Sequence, residues 1–425
     1  MLSKEYYRTY VQILKDELVP AMGCTEPIAI AYAGAVARKI LGALPERVEV
    51  AVSRNIIKNV KSVVVPHTGG LRGIEAAAAA GIVAGDAAKE LEVISHVEQE
   101  DIEAMGTFLK EVPCSVCEAS SDLIFDIQIT LYHGEDNASV RITDFHTNLV
   151  HVSRNGEILL AKEITGKEES ALADKSTLTI EKIFAFAKEV DLADVREVLE
   201  RQVRYNMAIA EEGLRGNYGA NIGKVLLATY GDQDVKVRAK AMAAAGSDAR
   251  MNGCELPVVI NSGSGNQGMT ASLPVVEYAK EYNKTEEELI RAVILSDLIT
   301  IHQKSKIGRL SAFCGAISAG CGAAAGIAYL LGGDYDTIAH TLVNSLAIVS
   351  GIVCDGAKAS CAGKIAAAVN AGILGYNMYL NGSQFWAGDG IVSKGVENTI
   401  RNVGRLGRDG MRETDREILK IMTEE

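Results

Sequence analysis

Four of the eight cysteines fall within one short stretch: Cys314 and Cys321 in "CGAISAGC", and Cys354 and Cys361 in "CDGAKASC". Each pair is seven residues apart, close to two helical turns, so each could share one helix face. Their surroundings are mostly Gly, Ala and Ser. Thiolates on converging helices can hold an iron–sulfur cluster; the alternative is that Cys packs here as a small hydrophobe. The remaining cysteines carry less. Cys114 and Cys117 form a lone C-x-x-C with no second pair at zinc spacing, and Cys254 stands alone. Cys24, in "GCTEP", lies just before a helix start, where the dipole favours a thiolate. A small buried residue ahead of a cap is the other reading of Cys24.

Three further stretches could meet a ligand. "NSGSGNQG" (261–268) can present backbone N–H groups as an anion nest, with a substrate carboxylate as the anion. Its side chains of interest are Asn261, Ser262, Asn266 and Gln267. It does not follow the phosphate-binding pattern G-x-x-x-x-G-K-[ST], and a plain tight loop is the alternative. "KNVKSVVVPHTGG" (58–70) turns through Pro66 and offers Lys58, Asn59, His67 and Thr68. His67 titrates near neutrality and suits a general base, or is a surface His at a strand end. Arg250, in "AGSDARM", offers a planar fork for a carboxylate or for a surface ion pair. His302, Gln303 and Lys304 precede Cys314 closely enough to be expected near it.

The elements that must position these residues divide into two kinds. Up to about residue 165 the pattern mixes helix and strand. "TEPIAIAYAGAVARKIL" reads as a helix capped by Thr25 with Pro27 in its first turn. "RVEVAV" and "KSVVVP" read as strands, and "SDLIFDIQITLYH", "ASVRITDF" and "TNLVHVSRN" as an antiparallel set. "RNGEI" carries the Asn-Gly hairpin signal. A polar segment, "AKEITGKEESALADKSTLT", then separates the halves. Beyond it almost no strand pattern appears, and Ser176, Thr177, Asp191 and Asp194 can cap successive helices. The expected fold class is α+β: a mixed domain over 1–165, then an all-α cluster-binding domain over 175–425.

Bulk properties narrow the function. The 425 residues are 48% hydrophobic and 23% charged, enough to bury a large core. A net charge of −12 without any basic stripe argues against nucleic acid and gives no reason for an acidic membrane partner. Residues 310–333 carry no charge, but their Gly, Ala, Ser and Cys suit a buried core helix better than a membrane span. "MLSKEYYRTYVQILKDEL" reads as an amphipathic helix and not as a signal peptide, so a cytoplasmic protein without disulfides is expected. The apolar second half is compatible with a homodimer.

Taken together, "GCTEP", "KNVKSVVVPHTGG", "NSGSGNQG", "CGAISAGCGAAAG" and "CDGAKASCAGK", in this order, resemble the L-cysteine desulfidase group, which is related to the iron–sulfur L-serine dehydratase α chain. The resemblance spans nearly the whole chain. It implies a [4Fe–4S] cluster held by Cys314, Cys354 and Cys361, spaced C-x39-C-x6-C, with Cys321 outside the ligand set. It links Cys24 to catalysis or to the fourth iron. It implies a small amino-acid substrate and a pyridoxal-phosphate-independent β-elimination from L-cysteine to pyruvate, ammonia and hydrogen sulfide. L-serine is the alternative substrate, and a non-catalytic cluster or cysteine sensor the alternative class. The tail, "REILKIMTEE", lacks the C-terminal cysteine that caps the open iron in some serine dehydratases.

Overall fold

A computed structural model describes residues 3–164, 173–308 and 310–423. The chain opens with α1 (Lys4–Glu17), a short strand β1 (Pro20–Met22) and α2 (Thr25–Leu41). Then come β2 (Arg47–Val52), α3 (Arg54–Val60), α4 (Gly73–Ala84) and α5 (Gln99–Glu111). Five strands follow: β3 (Cys114–Glu118), β4 (Asp126–His133), β5 (Asp136–Thr143), β6 (Leu149–Arg154) and β7 (Glu157–Ala161). They join β2 in one sheet of order β3-β2-β4-β5-β6-β7, parallel only between β2 and β3.

The alternation of the sequence sets the register. Val48, Val50 and Val52 of β2 lie opposite Leu131, Ile129 and Ile127 of β4, which lie opposite Ala138, Val140 and Ile142 of β5. All nine are buried on one face, under α2. The β6–β7 hairpin turns through Asn155 and Gly156 with φ of 51° and 81°, the left-handed pair that the Asn-Gly signal requires.

The second half holds α6 (Ile180–Glu189), α7 (Arg196–Arg215), α8 (Ile222–Tyr230) and α9 (Val235–Met251), then strand β8 (Pro257–Val259). It ends with α10 (Gly265–Glu281), α11 (Glu286–Ile307), α12 (Gly315–Leu330), α13 (Tyr335–Val349), α14 (Cys361–Leu380), α15 (Val396–Arg405) and α16 (Arg412–Thr423). The uncharged stretch 310–333 supplies α12, a core helix enclosed by α10, α11, α13 and α14. No described helix is long and apolar enough to cross a membrane. Gly320 and Gly372 let α12 and α14 cross closely: a Cβ on Gly372 would lie 2.6 Å from the Gly320 carbonyl oxygen.

Several local expectations change. "KSVVVP" is not a strand but an irregular segment with one bridge, Val64 to Arg72; burial, and not pairing, accounts for its valines. The second half does contain a strand, β8, antiparallel to β1. Tyr7 and Tyr10 of α1 pack on Phe186 of α6, with ring centroids 5.7 and 5.4 Å apart. The first twenty-odd residues therefore pack with the helical half. The proposed boundary near residue 165 falls at 165–172, outside the described residues. Cys24, and not Thr25, is the N-cap of α2, and Thr179 caps α6.

Candidate active site

The cysteines of the second half are brought together by an isolated two-residue bridge, Phe313 to Val353. The Cys314 N–H donates to the Ile352 carbonyl at 3.2 Å and the Cys354 N–H to the Ala312 carbonyl at 2.6 Å. Residues one step beyond such a pair share the opposite face of the ribbon, so Cys314 and Cys354 project to the same side on a diagonal. Cys361 joins them as the first residue of α14. Cys354 and Cys361 therefore do not share a helix face, contrary to their seven-residue spacing, because Cys354 lies in the loop before the helix.

The electrostatics separate the two cysteines of "CGAISAGC". Burial, then repulsion from Cys354 and Cys361, pushes the Cys314 thiol up to about 12, with Lys364 opposing. Burial alone pushes Cys321 up to about 12. Cys321 lies within α12, fully buried. Burial likewise raises Cys361, and Cys354 adds to it. Among the described residues no three His, Cys, Asp or Glu are set closely enough for a single metal ion. Cys314, Cys354 and Cys361 lie near enough for their charges to interact, and three cysteines are the donor type that an iron–sulfur cluster uses; coordination would remove their protons.

Cys24 meets this group from the first half. It forms a buried cluster with Val63 and Met251, and Ala357 and Cys361 pack against that cluster. Its thiol donates to Glu26 Oε2 at 3.1 Å, and Asn59 Nδ2 donates to Glu26 Oε1 at 3.1 Å. Burial and the Glu26 charge raise the Cys24 thiol well above its ordinary value, against Arg250. Burial alone would raise Glu26, but His146, the Cys24 hydrogen bond and Arg250 together hold it below the usual carboxylate value. The resting pair is a thiol donating to a carboxylate, although Cys24 stands at a helix N-terminus as expected.

The ligand-binding candidates divide. Asn261 and Ser264 exchange backbone hydrogen bonds at 3.1 Å around a two-residue turn with φ of 51° at Ser262 and 81° at Gly263. The turn leads into α10, and the Thr25 hydroxyl donates to the Gly263 carbonyl at 2.9 Å. Arg250, buried at the end of α9, lies against Gly265, with its Nε lacking a partner. Gln267 lies against Gly315, next to Cys314; its Oε1 and the Asn266 Oδ1 also lack partners. Thus α2, α10, α12 and α14 all begin around one place, and none of their N-caps makes a side-chain capping bond. Four positive helix ends favour an anion there.

Other candidates are engaged elsewhere. Asn261 donates to Asp297, Lys58 pairs with Asp415 of α16, and the Thr68 hydroxyl donates to the Val65 carbonyl at 2.7 Å. His67 follows Pro66, which packs on Gly23. Burial lowers its imidazole, its Nδ1 lies 3.5 Å from Glu255, and its Nε2 is buried without a partner. His302 pairs with Glu397 of α15 at 2.8 Å, while Gln303 Nε2 donates to the Ser318 carbonyl of α12 at 3.3 Å. A cleft of about 940 Å³ between the sheet loops, α11 and α16 reaches Ser262 and Ala312, although no cysteine lines it. It borders the Ser262–Gly263 turn and the strand-like segment before Cys314.

Sequence reasoning missed Glu26, His146 and Asp297. Glu26 stood inside a quoted motif but reads as an ordinary first-turn acid. His146 comes from the β5–β6 connection, which nothing in the sequence places beside α2. Asp297 had a usable signal: it is the one charge in the apolar run "AVILSDLITI".

A family model for the serine dehydratase alpha chain matches residues 88–420. The chain belongs to that family. It is similar over nearly its whole length to UPF0597 proteins. The one from Desulfitobacterium hafniense is 63% identical over 417 residues, 98% of this chain and 97% of the relative. That from Lachnoclostridium phytofermentans is 52% identical, covering 98% and 99%. That from Clostridium perfringens is 39% identical, covering 98% of each.

Proposed function

We propose that this protein is an iron–sulfur lyase that eliminates the β-substituent of L-cysteine, giving pyruvate, ammonia and hydrogen sulfide. The observation that carries the reading is the meeting of Cys314, Cys354 and Cys361 with Cys24 beside the buried Arg250. Cys314, Cys354 and Cys361 would hold a [4Fe–4S] cluster, which when bound supplies a Lewis acid for the leaving group through an iron free of those thiolates. Arg250 binds the α-carboxylate, aided by the helix ends. Asn266 Oδ1 and Gln267 Oε1, both acceptors without partners, orient the α-ammonium. Cys24 takes the Cα proton as its own proton passes along the hydrogen bond to Glu26. The Cα–H and Cβ–S bonds break and a C=C bond forms. The resulting 2-aminoacrylate takes up water and releases ammonia to give pyruvate.

The family's description favours a second reading, L-serine as substrate with water as the second product. Anaerobically reconstituted protein, assayed side by side for pyruvate release from L-cysteine and L-serine, tests both. The proposal expects a higher kcat/KM for cysteine. Faster serine turnover selects the second reading, and no turnover of either rejects the lyase.

A further inference from the structure

The turn before α10 has a conformation that its sequence does not favour. Ser262 and Gly263 adopt φ of 51° and 81°, the same pair as Asn155 and Gly156 in the β6–β7 hairpin. Asn tolerates that first position; Ser has less intrinsic preference for it and must be held there by its surroundings. The Ser262 hydroxyl donates to Asn261 Oδ1 at 2.9 Å. The Asn261 amide in turn donates to Asp297 Oδ1 at 2.9 Å and to the Asp297 carbonyl at 3.3 Å. Asp297 Oδ1 also accepts from Gln202 Nε2 at 2.9 Å. All three of Asp297, Asn261 and Gln202 are fully buried. On its other side the turn accepts the Thr25 hydroxyl at Gly263 and launches the helix that carries Asn266 and Gln267.

We propose that Asp297 is a positioning residue: acting through Asn261, it holds the Ser262–Gly263 turn in its left-handed form and so fixes the start of α10 against Cys24 and Cys314. Asp297 reaches the turn through the Asn261 side chain; its other partner, Gln202 Nε2, lies 3.5 Å from the Gly268 carbonyl, one turn further into α10. The inference rests on the lyase reading for its link to turnover, but the tie between Asp297 and the turn stands on geometry.

A double-mutant cycle separates this role from ordinary core packing. Glycine enters the left-handed region freely, so in a Ser262→Gly background the turn needs Asp297 less. Wild type, Asp297→Ala, Ser262→Gly and the double variant would be compared as reconstituted holoprotein, by kcat/KM for pyruvate release and by urea unfolding. Asp297→Ala should lower kcat/KM by about tenfold or more alone, but by only about threefold in the Ser262→Gly background. Asp297→Asn, which keeps the acceptor oxygen, should restore most of the activity. Equal losses in both backgrounds, or an Asn variant as poor as Ala, would overturn the proposal. If Asp297→Ala does not fold, Asn261→Ala in the same two backgrounds replaces it, with the same expectation. If wild type releases no pyruvate, the lyase reading fails by itself. The unfolding data then decide: a smaller loss in the Gly background supports the tie, and additive losses reject it.

Discussion

The Thr25 hydroxyl donates to the Gly263 carbonyl over 2.9 Å, joining residues 238 positions apart. That bond ties the helix that carries Cys24 to the turn that precedes Gln267. Thr25→Val keeps the shape and removes the donor, leaving the Gly263 carbonyl without it. A stability loss of about 1–2 kcal/mol is expected in urea unfolding. The fall in kcat/KM should be larger than that loss explains, because the two halves of the site are no longer held together. An unchanged kcat/KM would dissociate the bond from function.

The thiols should separate by role. Cys314→Ala, Cys354→Ala and Cys361→Ala should each lose iron and the brown absorbance of anaerobic protein. Cys321→Ala should keep both, since Cys321 lies in α12 and its thiol is perturbed by burial alone, with no cysteine beside it. Bleaching by Cys321→Ala would reject the assignment.

Arg250 tests carboxylate recognition. Lys replaces a planar fork by a point charge, so Arg250→Lys should lower kcat/KM by about tenfold to a hundredfold, chiefly by raising KM. Steady-state pyruvate assays across substrate concentration measure this. An unaltered KM would mean that the guanidinium serves packing and not the substrate.

Stability should carry the signature of Asp297. Burial pushes its carboxyl up to about 7, with the Gln202 and Asn261 amides pulling the other way. The folded chain thus retains a proton that the unfolded chain has released. The contribution is complete below the ordinary carboxyl value and is lost as pH rises through about 7. Asp297→Asn cannot ionise. The advantage of wild type over this variant should therefore shrink between pH 5 and pH 8 in urea unfolding. An advantage that grows toward pH 8 would contradict the buried, proton-retaining carboxyl.

An iron open to substrate is also open to oxidants. Activity should fall on aeration and return with iron and thiol under anaerobic conditions. Full activity after prolonged aeration, with iron removed by a chelator, would exclude the cluster from the reaction.

Much of this protein is local and was therefore legible. Alternating valines and isoleucines gave β2, β4 and β5, because one buried face selects one register. The Asn-Gly pair gave the β6–β7 turn. The Gly- and Ala-rich uncharged stretch gave a core helix, α12. The spacing of the cysteines and the motif order carried the candidate thiols and the residue types around them.

Tertiary structure alone decided how these pieces meet. Only the bridge between Phe313 and Val353 puts Cys314 and Cys354 on one face, and only packing between the halves sets Cys361 against the cluster of Cys24, Val63 and Met251. It also turned Asn261 and Lys58 toward Asp297 and Asp415, and brought Glu26 and His146 into the site. The physical reason is range. Periodicity, caps and turn chemistry act within a few residues and leave a mark in the sequence at that scale. The burial of a thiol, the partner of an amide and the charge beside a carboxylate depend on elements tens to hundreds of residues apart, and are fixed only when the chain packs.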